Sequence, residues 1–233
     1  MIKRFSVFLL LLGLGAIFAT LLFDYTPDTE LNLTGHYYAT HTAEDIGATN
    51  IVTAIIVTYR GLDTIGEVTV LFLTAAIVGL VLARVKRKAH TLQQDAPRGE
   101  LLCIGSNLLV PPILMLGAYV FITGHLTPGG GFQGGAIIAS AALLMLLTDP
   151  LRRFSHRLIS IVESVSGLMI VSIGVLGVFL AGGFLDNRIL PTGELGTLFS
   201  AGAIPIIYSF VGLKVGAEFS SMLVSFSETE DSK

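Results

Sequence analysis

Six stretches of this chain are each apolar enough, and about long enough, to cross a lipid bilayer, and nothing else limits its fold as strongly. They are Phe5–Phe23, Thr64–Ala83, Leu101–Thr123, Phe132–Thr148, Leu158–Leu180 and Gly196–Leu223. A helix needs about 20 apolar residues to traverse the hydrocarbon. Charged residues make up only 13% of the 233, and mean hydropathy is +0.78, whereas soluble domains carry about 25% charge. The expected fold is all-α and integral to the membrane, with about six transmembrane helices.

The fourth stretch begins at a glycine-rich break, Pro128-Gly129-Gly130-Gly131-Phe132-Gln133-Gly134, flanked by Gly124-His125-Leu126-Thr127 and Gly135-Ala136. Irregular backbone is tolerated at membrane depth only where protein or a water-filled cavity satisfies its peptide groups. The break therefore marks a packed or hydrated place inside a larger assembly. Pro128 and the glycines serve a sharp turn and the close approach of a neighbouring helix. Gln133 is expected to satisfy exposed backbone or to line a hydrated path. No Gly-Lys-Ser/Thr follows, so the run is not a phosphate-binding loop.

Orientation follows from basic residues in short loops. Lys3 and Arg4 precede the first helix. Arg84, Lys86, Arg87, Lys88 and Arg98 lie between the second and third, and Arg152, Arg153 and Arg157 between the fourth and fifth. These regions share one side if six helices are threaded in order, which places both termini in the cytoplasm and the chain in the cell (plasma or inner) membrane. The opposite side holds Arg60 and Arg188 with Asp24, Asp28, Glu30, Glu44 and Asp45. Phe5–Phe23 could be the core of a signal peptide, but it is long and lacks a clean cleavage signal, so a retained helix is expected. Between the first two spans, Asn50–Tyr59 is apolar but too short to cross, which suggests a re-entrant or interfacial helix. The basic loop could attract anionic lipid, although topology explains it adequately. The organisation expected is a two-helix part over 1–88, a cytoplasmic linker over 89–98, a four-helix part over 99–224 and a disordered polar tail over 225–233.

Two motifs carry a family resemblance. Asn50-Ile51-Val52 through Tyr59-Arg60-Gly61-Leu62-Asp63-Thr64-Ile65-Gly66-Glu67 resembles a segment near the C-terminal end of the large A-type component of Mrp-type multisubunit Na⁺/H⁺ antiporters. A small membrane component of membrane-bound hydrogenases carries the same segment. Gly124-His125-Leu126-Thr127-Pro128-Gly129-Gly130-Gly131-Phe132-Gln133-Gly134-Gly135 resembles the signature of the B-type component of the Mrp system, the MnhB family. The resemblance covers roughly residues 45 to 223 and departs from the family in fusing the two motifs in one chain. It implies membrane subunits of an Mrp-like or hydrogenase-like complex as partners, with Na⁺ and H⁺ as the transported ions.

Each charge within the bilayer costs at least about 2.5–3.5 kcal/mol and so needs a reason. Glu67, one turn into the second helix beside Thr64 and Thr69, could bind a cation or exchange a proton; the resemblance implicates it in ion transport. Alternatively it complements the positive end of its helix. Asp63 is expected as the helix N-cap, with Arg60 pairing to either carboxylate. Glu163 and Lys214 fall at similar shallow depth and could pair, and Glu218 lies one turn beyond Lys214 on the same face. Lys214 and Glu218 could equally snorkel to the interface. His125, beside the break, could relay protons or hydrogen-bond loop backbone. His36 and His41 with Glu44 and Asp45 could suggest a metal, but their spacing reads better as a solvated loop, and no metal is expected.

The single cysteine, Cys103, excludes an intrachain disulfide and any multi-cysteine metal or iron–sulfur site. Five histidines and no tryptophan leave little for a redox centre. No cofactor and no nucleic-acid partner are expected, and no catalytic nucleophile is visible. Three functions remain open. The chain is a subunit of a cation/proton antiporter, or the same module in a redox-driven hydrogenase or sulfane reductase complex, or a structural adaptor that touches no ion.

Overall fold

The computed structural model describes residues 2–25, 30–86, 100–149 and 154–230, and no strand occurs among them. Among the described residues, six helices are long and apolar enough to cross a membrane. The chain forms two compact units, Met1–Tyr37 and Tyr38–Lys233. In the first is α1 (Ile2–Asp24), none of whose residues from Arg4 to Asp24 is buried. Its Thr20 hydroxyl returns to the Ile17 carbonyl at 2.8 Å, a bond that keeps the hydroxyl satisfied in an apolar setting.

The helix α2 (Leu33–Asp45) starts in the first unit and ends in the second. It forms where a solvated loop is expected. The Asn32 side chain accepts from Gly35 N at 2.7 Å, supplying the start signal, and His36 and His41 sit on this helix instead of in a loop. In the second unit, Asn50 caps α3 (Ile51–Ala54), which passes into a single π-turn (Ile55–Tyr59) and then α4 (Gly61–Lys86). The short apolar segment is therefore helical without spanning. After it come α5 (Glu100–Ile122), α6 (Gly131–Thr148), α7 (His156–Leu180), a 3₁₀ turn (Asn187–Ile189) and α8 (Ile204–Glu230).

Helix α8 is the hub, packing against α4, α5, α6 and α7. Its buried residues Ile204, Ile207, Tyr208, Val211, Val215 and Val224 form much of the core. It is the least hydropathic of the spans and the most buried. Polar groups that lipid would reject are accommodated on a helix wrapped by other helices. Helix α6 wedges between α5 and α8 on glycine. A Cβ at Gly134 would lie 2.6 Å from the Gly117 carbonyl, and one at Gly135 would lie 2.7 Å from the Gly212 carbonyl. Because lipid supplies no hydrophobic drive between helices, such backbone-to-backbone contact carries their association, as the glycine-rich sequence leads one to expect.

Two boundaries differ from the sequence reading. The sixth span starts at Ile204, not Gly196, because Gly196, Ala201 and Gly202 all take positive φ and turn the chain before Pro205. At its other end α8 continues to Glu230, so residues 225–230 are helical where a disordered tail is expected; no glycine or proline interrupts them. Residues 231–233 and the linker 89–98 lie outside the described residues, as do most of the basic positions between the second and third spans. The second unit also does not divide at that linker, since α4 packs on α8.

Candidate ion-path site

The connections around residues 46–60, 123–130 and 185–203 meet at one end of the second unit, as sequential threading of the spans requires. Thr49 Oγ1 donates to the Leu126 carbonyl at 2.8 Å, and Asn50 Nδ2 donates to the Gly124 and Thr127 carbonyls, both at 2.9 Å. Asn50 N donates to the His125 carbonyl at 3.1 Å, and Thr53 Oγ1 to Gly124 at 2.6 Å. The carbonyls exposed by the glycine-rich break are thus taken up by the short helical segment, and the two sequence motifs form one joint. Tyr208 extends the joint into the core: its hydroxyl lies 3.3 Å from Thr53 Oγ1, which it can reach as donor. Asn187 closes it, donating to the Ile46 carbonyl at 2.9 Å and the Ala201 carbonyl at 3.2 Å.

Sequence reasoning missed Asn50, Thr53, Asn187 and Tyr208 as parts of this joint. A signal existed for Asn50, which stands directly before an apolar run in the N-cap position; nothing local distinguishes the others. Gln133 is exposed and, among the described residues, makes no hydrogen bond to the break. Phe132 packs against the core, and Gly130, Gly131 and Gly134 are buried, while Pro128 is exposed. Gly129 takes φ 157° at the turn.

His125 is fully buried, with Nε2 3.4 Å from the Thr197 carbonyl. Burial pushes its pKa below the ordinary 6.5, against the opposing pull of backbone carbonyls. Its place is in the packed joint, bonded to loop backbone.

Deeper in the unit, Lys214 Nζ and Glu218 Oε1 form an ion pair at 2.7 Å, with side chains only 10% and 0% exposed. They do not snorkel. Lys214 is ten residues into α8, so it lies about 15 Å from the start of the helix at about 1.5 Å per residue. The pair therefore lies near the middle of the apolar stretch Ile204–Ser227 of α8 and not near either end of it. The Phe72 ring of α4 covers the ammonium at 5.0 Å, and Gly167 of α7 leaves room for the lysine stem. Glu163 on α7 is half-buried and close enough to act electrostatically on Glu218. Glu218 Oε2 has no hydrogen-bond partner among the described residues. Lys214 therefore pairs with Glu218 and not with Glu163, which acts on Glu218 only through its charge from α7.

Glu67 lies elsewhere. It is six residues into α4, about 9 Å from its start, too far in to cap the helix. It is exposed on the surface of the chain and edges an open groove of about 600 Å³ with Val70, Leu71, Thr74 and Phe132. Asp63 is not the N-cap but a first-turn residue, and it pairs with Arg60 at 2.6 Å. Glu67, Asp63 and His125 therefore line the joint end, while Lys214 and Glu218 form a separate buried pair.

Residues 101–221 match the family described as a domain related to the MnhB subunit of Na⁺/H⁺ antiporter. The chain belongs to the MnhB-related family. Residues 2–98 of this MnhB-related chain match a second family, the MbhE component of MBH. A protein of Methanocaldococcus jannaschii is 33% identical over 198 residues, covering 74% of each chain. A probable K⁺/H⁺ antiporter A/B component of Rhizobium meliloti is 29% identical over 64% of this chain but only 17% of its own length. Among solved structures, a chain of the membrane-bound sulfane sulfur reductase, an archaeal respiratory membrane complex, superposes with TM-score 0.80 at 38% identity, over 97% of this chain and 98% of that one. A chain of the Mrp complex from Dietzia sp. superposes with TM-score 0.79 at 22% identity, over 97% of this chain and 26% of that one, a likeness of fold. The MnhB-related chain is a multi-pass membrane protein.

Proposed function

We propose that this chain is a membrane subunit of a cation/proton antiporter-type module and that it contributes a charge step through the Lys214–Glu218 pair. The observation that carries the proposal is the burial of that pair near the middle of the α8 span, with one carboxylate oxygen left without a partner among the described residues and Glu163 acting on it through its charge from α7. Removing two charges from water is seldom repaid by their attraction alone. A half-satisfied pair in this position is well suited to passing a proton between carboxyl groups on α7 and α8. Glu67, presented outward beside the glycine-rich joint, would hold or pass a cation at the contact with a neighbouring subunit. In this reading Na⁺ and H⁺ are the ions moved, both termini face the cytoplasm, and the joint lies on the outer side. The basic residues at the opposite ends of the spans support that orientation.

A second reading places the module in a redox-driven complex. It is favoured by the full-length likeness to a sulfane sulfur reductase chain and by the match of residues 2–98 to an MBH component. Both readings keep the same ion path and differ in what drives it. Against both stands the structural adaptor. The test is Na⁺-dependent proton transport by the intact complex in membrane vesicles carrying Glu67→Gln or Glu218→Gln. Glu67→Gln is expected to assemble normally and to lose at least tenfold in transport; Glu218→Gln, which leaves buried Lys214 without its partner, is expected to assemble in lower yield and to lose at least tenfold in transport per assembled complex. Full transport in both would establish the adaptor instead.

A further inference from the structure

Helix α5 carries Pro111 and Pro112 in its interior. Proline has no N–H, so the carbonyls of Asn107 and Leu108 lose the donors that would normally bond them four residues on. Asn107 is exposed, and its side chain makes no hydrogen bond among the described residues. At about 1.5 Å per residue, Asn107 to Pro112 lie about 10–18 Å from the start of the helix, well within the hydrocarbon. Lipid can satisfy none of these groups; prolines persist in membrane helices where neighbouring helices, Ser/Thr side chains, water or a local 3₁₀ or π adjustment re-satisfies the freed backbone. Here α5 is continuous α-helix with no Ser or Thr between Asn107 and Pro112.

Among the described residues, no helix of the second unit serves that purpose. α5 packs chiefly on α6 and α8 through the opposite face, where Ser106, Gly117 and Phe121 are buried. Around the notch, Ile104, Leu108 and Met115 stand 61–73% exposed. Helix α7 offers the contrast: its exposed positions Leu168, Val171, Val175, Leu176 and Phe179 are apolar one after another, as a lipid-facing stripe should be.

We infer that the Asn107–Pro112 notch of α5 is a subunit interface, occupied by a membrane helix of another subunit that presents hydrogen-bond donors, such as hydroxyl or amide side chains, to the two freed carbonyls and to Asn107. The inference requires only that the chain assembles with other membrane subunits, and not that it moves ions.

The experiment uses the assembled complex in native membranes, with a photo-crosslinking benzoylphenylalanine at Leu108 in one sample and at Leu168 in another. The Leu108 position is expected to join this chain to a different subunit, whereas Leu168 yields lipid adducts. Lipid adducts alone at Leu108, or a bond from Leu108 to α1 of the same chain, would overturn the inference. Independently, Asn107→Leu is expected to lower the fraction of chain retained in the detergent-challenged complex about fivefold, with Asn107→Gln restoring part of it. Unchanged retention in Asn107→Leu would contradict the assignment.

Discussion

Removing the ammonium of Lys214 separates what the buried pair does for the fold from what it does for transport. The Glu218 side chain has no exposure, and Lys214 is its only ionic partner in the described residues. Lys214→Met keeps the length of the side chain but leaves a buried carboxylate uncompensated, which costs about 3–5 kcal/mol. Loss of the contact with Phe72 adds about 0.5–2 kcal/mol. Since each 1.4 kcal/mol is about tenfold in an equilibrium constant, the single variant should lose at least a hundredfold in folded population. The double variant Lys214→Met/Glu218→Leu carries no charge. Replacing a buried pair with apolar groups of similar size is neutral or stabilising by about 1–4 kcal/mol, so the double should melt at or above the wild-type temperature. The assay is thermal melting of the purified complex, read as surviving monodisperse complex in size exclusion, with transport measured in parallel. The expected result is an unstable single variant and a stable double variant that does not transport. A single variant as stable as the wild type would refute the burial argument, and a double variant that transports normally would refute the functional one.

Three further outcomes follow from the joint and the glycine faces. Gly134→Leu forces a side chain against the Gly117 carbonyl and Phe121; overpacking costs about 1–3 kcal/mol and more where backbone cannot yield, so the yield of assembled complex should fall sharply, while Gly66→Leu, in open space, should not change it. Asn50→Ala removes a helix cap worth about 0.5–2 kcal/mol and strands two carbonyls at about 1–3 kcal/mol each, so melting of the complex should drop by at least 5 °C, and a drop under 1 °C would dismiss the joint. His125 has a lowered pKa because it is buried, so the unfolded chain binds its proton first. Stability is therefore intact above about pH 6.5 and declines as pH falls from there toward the lowered folded-state value. Melting between pH 5 and 8 should show a slope that His125→Asn reduces; an equal slope in both would dismiss it.

Much of this arrangement is legible in the chain because lipid is a severe solvent. Five of the six spans are bounded to within a few residues by hydropathy alone, and the glycine-rich break had to be satisfied by something. What satisfies it was not legible, because Asn50 and Gly124 are far apart in sequence and their bond is a tertiary event. The start of α8 was misplaced because Gly196–Ala203 is apolar enough to resemble helix, while positive φ at Ala201 and Gly202 shows it is turn. Lys214 and Glu218 could be paired from their i,i+4 helical spacing, whereas the shallow depth expected of Glu163 and Lys214 did not foretell their partners. The burial of the pair depended on α8 being central, and six helices apolar on every side give no hint of which one is surrounded. For Glu67 the sequence motif points correctly into a membrane helix, but only the packing of α4 against α8 shows that it faces outward.

The central claim is that the Glu218 carboxyl changes its proton during turnover. Difference infrared spectroscopy of the intact complex, switched between Na⁺-loaded and Na⁺-free membranes, reads the carbonyl stretch of protonated carboxyl groups directly. The wild type is expected to show a carboxyl band that disappears in Glu218→Gln and persists in Glu100→Gln, a carboxylate at the edge of α5. A difference spectrum identical in the wild type and Glu218→Gln would contradict it.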